Sequence, residues 1–158
     1  MAGMHDDEPL LESRPGTYAV LLRPRHRGAV RIGRLGILRL DGGCLIYVGS
    51  AQGPGGVAAR CRHHLLPAAR PRWHLDHLRP HCRIIGLWVS CGTACLEHAW
   101  VRSLASLPHA VIPLAGFGAS DCRECPAHLV HLPRPPSAAS LRRCLGDGCL
   151  VQIAGKAG

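Results

Sequence analysis

The sequence predicts an α+β domain, with a small central antiparallel or mixed β-sheet flanked by helices. Three observations carry this expectation. Short segments rich in β-branched and aromatic residues crowd the first third of the chain, separated by Gly and Pro. Two longer segments with helical spacing follow, each closed by a proline. A further apolar strand pattern lies between those two helices. At 158 residues the chain suits one domain with its own core. Aromatic residues make up only 4%, so Leu, Val, Ile and Ala must supply most of that core.

In chain order, residues 1–14 read as a flexible acidic tail and order is expected from Gly16. Thr17 to Leu22 is a β run, and Arg23 to Gly28 a turn broken by Pro24 and Gly28. Ala29 to Ile32 and Ile37 to Leu40 read as short strands. Asp41-Gly42-Gly43 is a hairpin signal. Cys44 to Val48 is the most apolar of these runs and is expected at the centre of an antiparallel meander. After the Gly-rich 49–56 turn, a helix is expected over about 57–66, ended by Pro67. It places Arg60 and His64 one turn apart on one face. A basic loop, 67–72, leads to a short helix or turn at 73–78. Arg83 to Ser90 reads as a strand. Thr93 is the expected N-cap of a helix over 94–107, stopped by Pro108. Ala127 to Leu132 alternates as an edge strand. Beyond it, 133–158 reads as a Pro-rich linker and C-terminal extension, with a hairpin around Gly146-Asp147-Gly148. The main domain is thus expected over 15–132.

Charge and cysteine content narrow the partners. The formal net charge is +9, and every basic residue except Lys156 is Arg. Guanidinium groups grip phosphate in a bidentate fork, so nucleic acid is the expected partner. No apolar run approaches the roughly 20 residues that a membrane helix needs. The acidic start lacks the features of a secretory signal. Nine cysteines, an odd number, are expected as thiols in a reducing cytoplasm, most of them buried as small apolar fillers.

Gly16-Thr17-Tyr18 and Tyr47-Val48-Gly49 resemble the paired motifs that name the GIY-YIG nuclease superfamily. The continuation through Ser50-Ala51, a Gly-rich gap, Arg60 and His64 resembles the stretch that gives that superfamily its catalytic arginine. Leu96 to Arg102 resembles the helix carrying its metal-binding glutamate, here Glu97. Trp73-His74-Leu75-Asp76, Gly116 to Cys122 and His128-Leu129 resemble a small standalone branch that also occurs beside a DNA base-excision enzyme. Thr17 stands where Ile is usual, and the segment between the two tyrosines is longer than in compact members.

The resemblance implies a metal-dependent endonuclease that hydrolyses DNA phosphodiester bonds, with structure-specific, repair-linked substrates as the expectation. Tyr18, Tyr47, Arg60, His64 and Glu97 would be catalytic and are expected on one concave face. Glu97 would hold Mg²⁺ or Mn²⁺, since a hard cation takes few protein ligands and keeps its waters. Arg60 would hold the scissile phosphate, while Tyr18, Tyr47 and His64 all remain open as the base. Gly49, His74 and Asp76 would position the site. Arg62, His63, Arg70 and Arg72 would contact phosphates. Independently of the resemblance, Cys122, Cys125 and His128 have zinc-like donor types and need a fourth ligand such as His131, Cys82 or His81. Two other functions are compatible with these residues: a nucleic-acid-binding module without cleavage, and a zinc-stabilised interaction domain.

Overall fold

The computed structural model describes residues 11–119 and 123–153. Its elements run β1 (Gly16–Pro24), β2 (Gly28–Ile32), β3 (Gly36–Leu40), β4 (Cys44–Ala51), α1 (Gly56–Leu65), α2 (His74–Leu78), β5 (Cys82–Cys91), α3 (Glu97–Ala105), β6 (Leu129–Leu132), α4 (Ala138–Leu145) and β7 (Cys149–Gln152). Five strands form one antiparallel sheet in the order β6-β4-β1-β5-β7. The α+β class expected from the sequence is the one found.

The expected meander is not. β2 and β3 pair only with each other, as a separate hairpin, and β4 returns to pair with β1. This also corrects the choice of central strand. β1 lies in the middle, and its residues Gly16 to Leu22 are all buried. A strand covered on both faces loses its polar alternation, and β1 and β4 both show that pattern. Composition alone therefore cannot rank them; the hairpin insertion that sends β4 to β1's flank does.

Alternation along the strands divides the interior into two cores. On one face Tyr18, Val20, Leu22, Leu45, Leu87, Val89 and Leu129 pack with Val57 and Cys61 of α1 and Leu75 and Leu78 of α2. The β2–β3 hairpin adds Val30, Ile32, Leu38 and Leu40 to this core, and Phe117 joins them. On the other face Ala19, Leu21, Ile46, Val48, Trp88 and Val130 pack with Trp100, Val101 and Leu104 of α3 and Leu141 and Leu145 of α4.

Two further readings are corrected. The second helix starts at Glu97, not near Thr93, and ends at Ala105. Gly92, with φ of 152°, turns the chain back after β5, and its N–H donates to the Pro15 carbonyl. The residues after it are spent crossing the sheet's end, where the Leu96 N–H reaches Thr17 Oγ1 at 3.4 Å. Residues 133–153 also differ from a linker with a hairpin, and residues 154–158 of that reading lie outside the described residues. Ser137 caps α4 by accepting from the Ser140 N–H, and β7 joins the sheet beside β5. Val151 is buried in the first core. Among the described residues, no helix is long and apolar enough to cross a membrane.

Candidate functional site

Strand register sets the first half of the site. Tyr18 lies opposite Gly49 in the β1–β4 ladder. A Cβ at position 49 would collide with the Tyr18 hydroxyl and ring. Glycine there gives the Tyr18 ring its space across the neighbouring strand, which is a positioning role read from geometry. Tyr47 sits two residues earlier on β4, with its ring 6.5 Å from that of Tyr18.

α1 brings the third group. His64 Nε2 shares a hydrogen bond of 2.9 Å with the Tyr18 hydroxyl, and its ring lies 5.9 Å from Tyr47. The helix end carrying it is held by Arg79, whose guanidinium donates to the carbonyls of His64, Leu65 and Cys82 at 2.7–2.8 Å. A cation on the last carbonyls of a helix satisfies acceptors that would otherwise be orphaned. Burial, reinforced by His63, lowers His64 to about 4, so its imidazole is neutral at pH 7. Among the described residues, His64 Nδ1 is buried without a hydrogen-bond partner.

Burial also raises both tyrosines: Tyr18, which is 2% exposed, well above its ordinary value, and Tyr47 to about 12. Arg60 pulls both down and Glu97 pushes both up. The charges of Arg60 and Glu97 therefore bear on the same two hydroxyls. Arg60, one turn before His64, places its guanidinium 4.6 Å from the centre of the Trp73 ring.

Glu97 reaches this region from elsewhere. Its helix packs on the opposite face of the sheet, and the carboxylate comes in at the sheet's end. Tyr18, Tyr47, Arg60 and His64 lie on the α1 face, and Glu97 comes from the helix on the other face, its charge bearing on the same two tyrosine hydroxyls. Glu97 Oε1 accepts from His128 Nδ1 at 2.6 Å. His128 flanks Gly118, where a Cβ would lie 3.3 Å from His128 Cβ and 2.7 Å from Tyr47 Cε2. Gly118 has φ of 69°, and its N–H donates to His74 Nδ1 at 2.7 Å. Glycine is required there by both conformation and space. Thus His74 holds the loop that closes over Tyr47.

Asp76 supports the other side. It is buried, accepts from the N–H groups of Arg72 and Trp73, and contacts His63 Nε2 at 2.9 Å. Burial pushes its carboxyl up, but those donors outweigh burial and hold its pKa below the ordinary value. His63 is therefore tied into this support and packs against Trp73 at 4.7 Å between rings. Arg62, Arg70 and Arg72 are exposed along the same helix and loop.

The zinc ligand set read from the sequence changes. Cys122 lies outside the described residues. His131 contacts the Gly42 carbonyl, His81 pairs with His26, and Cys82 is buried in the first core. Instead, His98 Nδ1 lies 3.2 Å from Cys125 Sγ, and His98, Cys125 and His128 form one cluster of metal-ligand type. His98 was not foreseen: its only sequence signal is its place beside Glu97, and only the fold brings Cys125 to it. The expectation that most thiols are buried is not met among the described residues: Cys44, Cys61 and Cys82 are buried, Cys91, Cys125 and Cys144 are partly buried, and Cys95 and Cys149 are exposed.

A divalent cation at Glu97 is compatible with this geometry. A carboxylate has about four lone-pair sites, so one histidine contact leaves capacity for a hard ion. Its side chain is 17% exposed, which permits a largely hydrated one. No curated protein and no solved structure matches the chain. Residues 17–147, from the start of β1 to just past α4, match one family along their whole span, and the chain belongs to that family, the domain of unknown function DUF123.

Proposed function

We propose that this domain is a metal-assisted endonuclease of GIY-YIG type that cleaves DNA phosphodiester bonds. The observation that carries the reading is the 2.9 Å Tyr18–His64 hydrogen bond, set beside Tyr47 and within the fields of both Arg60 and Glu97. Hydrolysis needs a water deprotonated, a phosphate held in line and developing charge neutralised. Arg60 is the phosphate-holding group, with Trp73 bracing its guanidinium from one side.

The Tyr18–His64 pair is where the water's proton has somewhere to go. As the water oxygen attacks phosphorus, the P–O bond to the leaving oxygen breaks, the water's proton passes to the Tyr18 oxygen and the Tyr18 proton moves to His64 Nε2; the leaving oxygen takes its proton from solvent. His64 is neutral before the step, so its lone pair is available. The negative phosphate raises its proton affinity once substrate is bound. Tyr47, the more exposed of the two tyrosines, orients the water or the phosphate. Mg²⁺ or Mn²⁺ held by Glu97 would supply charge for the phosphorane and leaving oxygen. Arg62, Arg70 and Arg72 would hold the nucleic-acid backbone without reading its sequence. The free thiols fit a reducing, cytoplasmic setting, and repair-linked substrates follow from the resemblance only.

The test is a panel of single-stranded, duplex, flap and junction DNA with Mg²⁺ and Mn²⁺. Metal-dependent nicking that disappears in Arg60→Ala and Glu97→Gln supports the proposal. Binding without nicking on every substrate and with either metal rejects it, in favour of a non-catalytic binding module. That second reading has its own support in the exposed Trp73 ring stacked with Arg60, a platform suited to an unpaired base.

A further inference from the structure

The chain from Ala105 at the end of α3 to Leu129 at the start of β6 is a long connection that does precise work. It inserts Phe117 into the first core and lays Gly118 against Tyr47. Long connections in compact domains usually have a device that holds them. Backbone bonds from Gly116 to Pro126 and from His128 to Phe117 close this loop on itself. They do not tie it to α3. Among the described residues, the loop is linked to the first turn of α3 by side chains: His98 to Cys125, 27 residues apart at 3.2 Å, and Glu97 to His128 at 2.6 Å.

We propose that His98, Cys125 and His128 bind Zn²⁺, which clips this loop to the first turn of α3, with Glu97 as the outer carboxylate that orients His128. The donor chemistry selects the metal: one thiolate and two imidazoles suit zinc, whereas Mg²⁺ and Mn²⁺ prefer oxygen. The geometry is near what zinc requires. Tetrahedral zinc with ordinary Zn–N and Zn–S bonds separates its ligand atoms by roughly 3.3–3.6 Å. The His98–Cys125 pair is already at 3.2 Å, and all three ligand atoms lie within 4.8 Å of one another. Rotation of the partly exposed His98 and Cys125 side chains closes the rest.

Glu97 then has a defined part. By accepting from His128 Nδ1, it would fix the proton on that nitrogen and leave the Nε2 lone pair as the one available to a metal. A carboxylate behind a histidine is a common outer support of zinc. These three ligands are the ones among the described residues; Cys122 lies outside them. Zinc here is separate from the catalytic cation of the proposed function: it would hold the loop and His128, and through His128 the position of Glu97.

The experiment needs no nucleic acid, so its failure is distinguishable from failure of the nuclease proposal. Tag-free full chain, expressed with zinc in the medium, is assayed for metal by mass spectrometry. About one zinc per chain is expected, falling to about a tenth or less in Cys125→Ser and in His98→Ala. Glu97→Gln should keep the site but bind zinc about 10- to 100-fold more weakly. Co²⁺ exchanged into the wild-type chain should give tetrahedral d–d bands and a thiolate charge-transfer band, the latter lost in Cys125→Ser. Chelation should lower the Tm. If a variant fails to fold, the wild-type zinc content and Co²⁺ spectrum still decide. A folded wild-type chain with only trace zinc and no thiolate–Co²⁺ band overturns the proposal. So does full zinc occupancy in both ligand variants.

Discussion

The two sides of the candidate site are built differently. The Tyr18–Tyr47–His64 side is aromatic, largely buried and neutral at pH 7, and its residues come from two paired strands and a helix. The Glu97–His128–His98–Cys125 side is polar, buried at His128 and partly exposed at Glu97, His98 and Cys125, and it joins the start of a helix to a long loop. On the first side, strand register and one helical turn hold each group, so core packing keeps the geometry. On the second side, the side chains hold the loop. Burial sets protonation on the first side, and contacts set position on the second.

The largest expected effects break the link between the two sides. Arg60→Ala and Glu97→Gln should each reduce metal-dependent cleavage by about 10²- to 10³-fold, the scale for removing one group that stabilises transition-state charge. Neither side chain is part of a core cluster. Both variants should therefore retain the wild-type circular dichroism spectrum, and nicking rates at saturating substrate are the measurement. Near-normal cleavage in Glu97→Gln would remove the carboxylate from the proposed reaction.

The next effect belongs to the buried side alone. His64 titrates near 4 in the fold against an ordinary 6.5, with burial as the main cause. The unfolded chain therefore takes up this proton first. The stability tied to it is complete above about pH 6.5 and drains away as pH falls towards 4. The shift corresponds to about 3 kcal/mol. His64→Gln should flatten the stability profile across that window, measured by urea unfolding at a series of pH values. An unchanged slope would mean that His64 is not the buried neutral group described. Asp76 adds a fall at more acid pH, because its depressed carboxyl must be protonated.

A smaller effect tests the strand register. Gly49→Ala puts a methyl into the Tyr18 ring and should cost about 1–3 kcal/mol, as overpacking does. It should also perturb the Tyr18–His64 hydrogen bond, visible as a change in tyrosine absorbance on alkaline titration. Smallest of all, Trp73→Ala removes the ring beneath Arg60. DNA affinity should weaken by about two- to fivefold, the scale of an exposed cation–π contact, as read by fluorescence anisotropy. A much larger loss would make Trp73 a base-stacking residue in its own right.

Legibility differs between the two sides for a physical reason. Tyr18, Tyr47, Arg60 and His64 lie within or next to locally patterned segments, and periods of 2 and 3.6 are visible in a single sequence. Once those elements exist, the helical spacing of Arg60 and His64 follows. The His98–Cys125 pairing spans 27 residues and depends on how a loop returns; no local period encodes it. The same holds for the zinc ligand candidates that the fold places elsewhere. His131 alternates along an edge strand and meets Gly42, and Cys82 packs into the core. The late helix start has a similar origin: Thr93 is a good cap by residue type, but the chain must first cross the sheet's end.

Resemblance to a known superfamily singled out Tyr18, Tyr47, Arg60 and His64, and the residues by themselves determined the class of the domain and the existence of most strands and helices. These rest on short-range preferences that act within a few residues. Only the tertiary structure decided that β1 is central, that β2 and β3 leave the main sheet, and that α4 and β7 complete the fold. It also decided that Glu97 comes around the sheet's end to His128 while His98 meets Cys125. Those outcomes are set by which surfaces bury each other, and apolar burial is non-directional: many pairings satisfy the same pattern, and packing of the whole chain selects one.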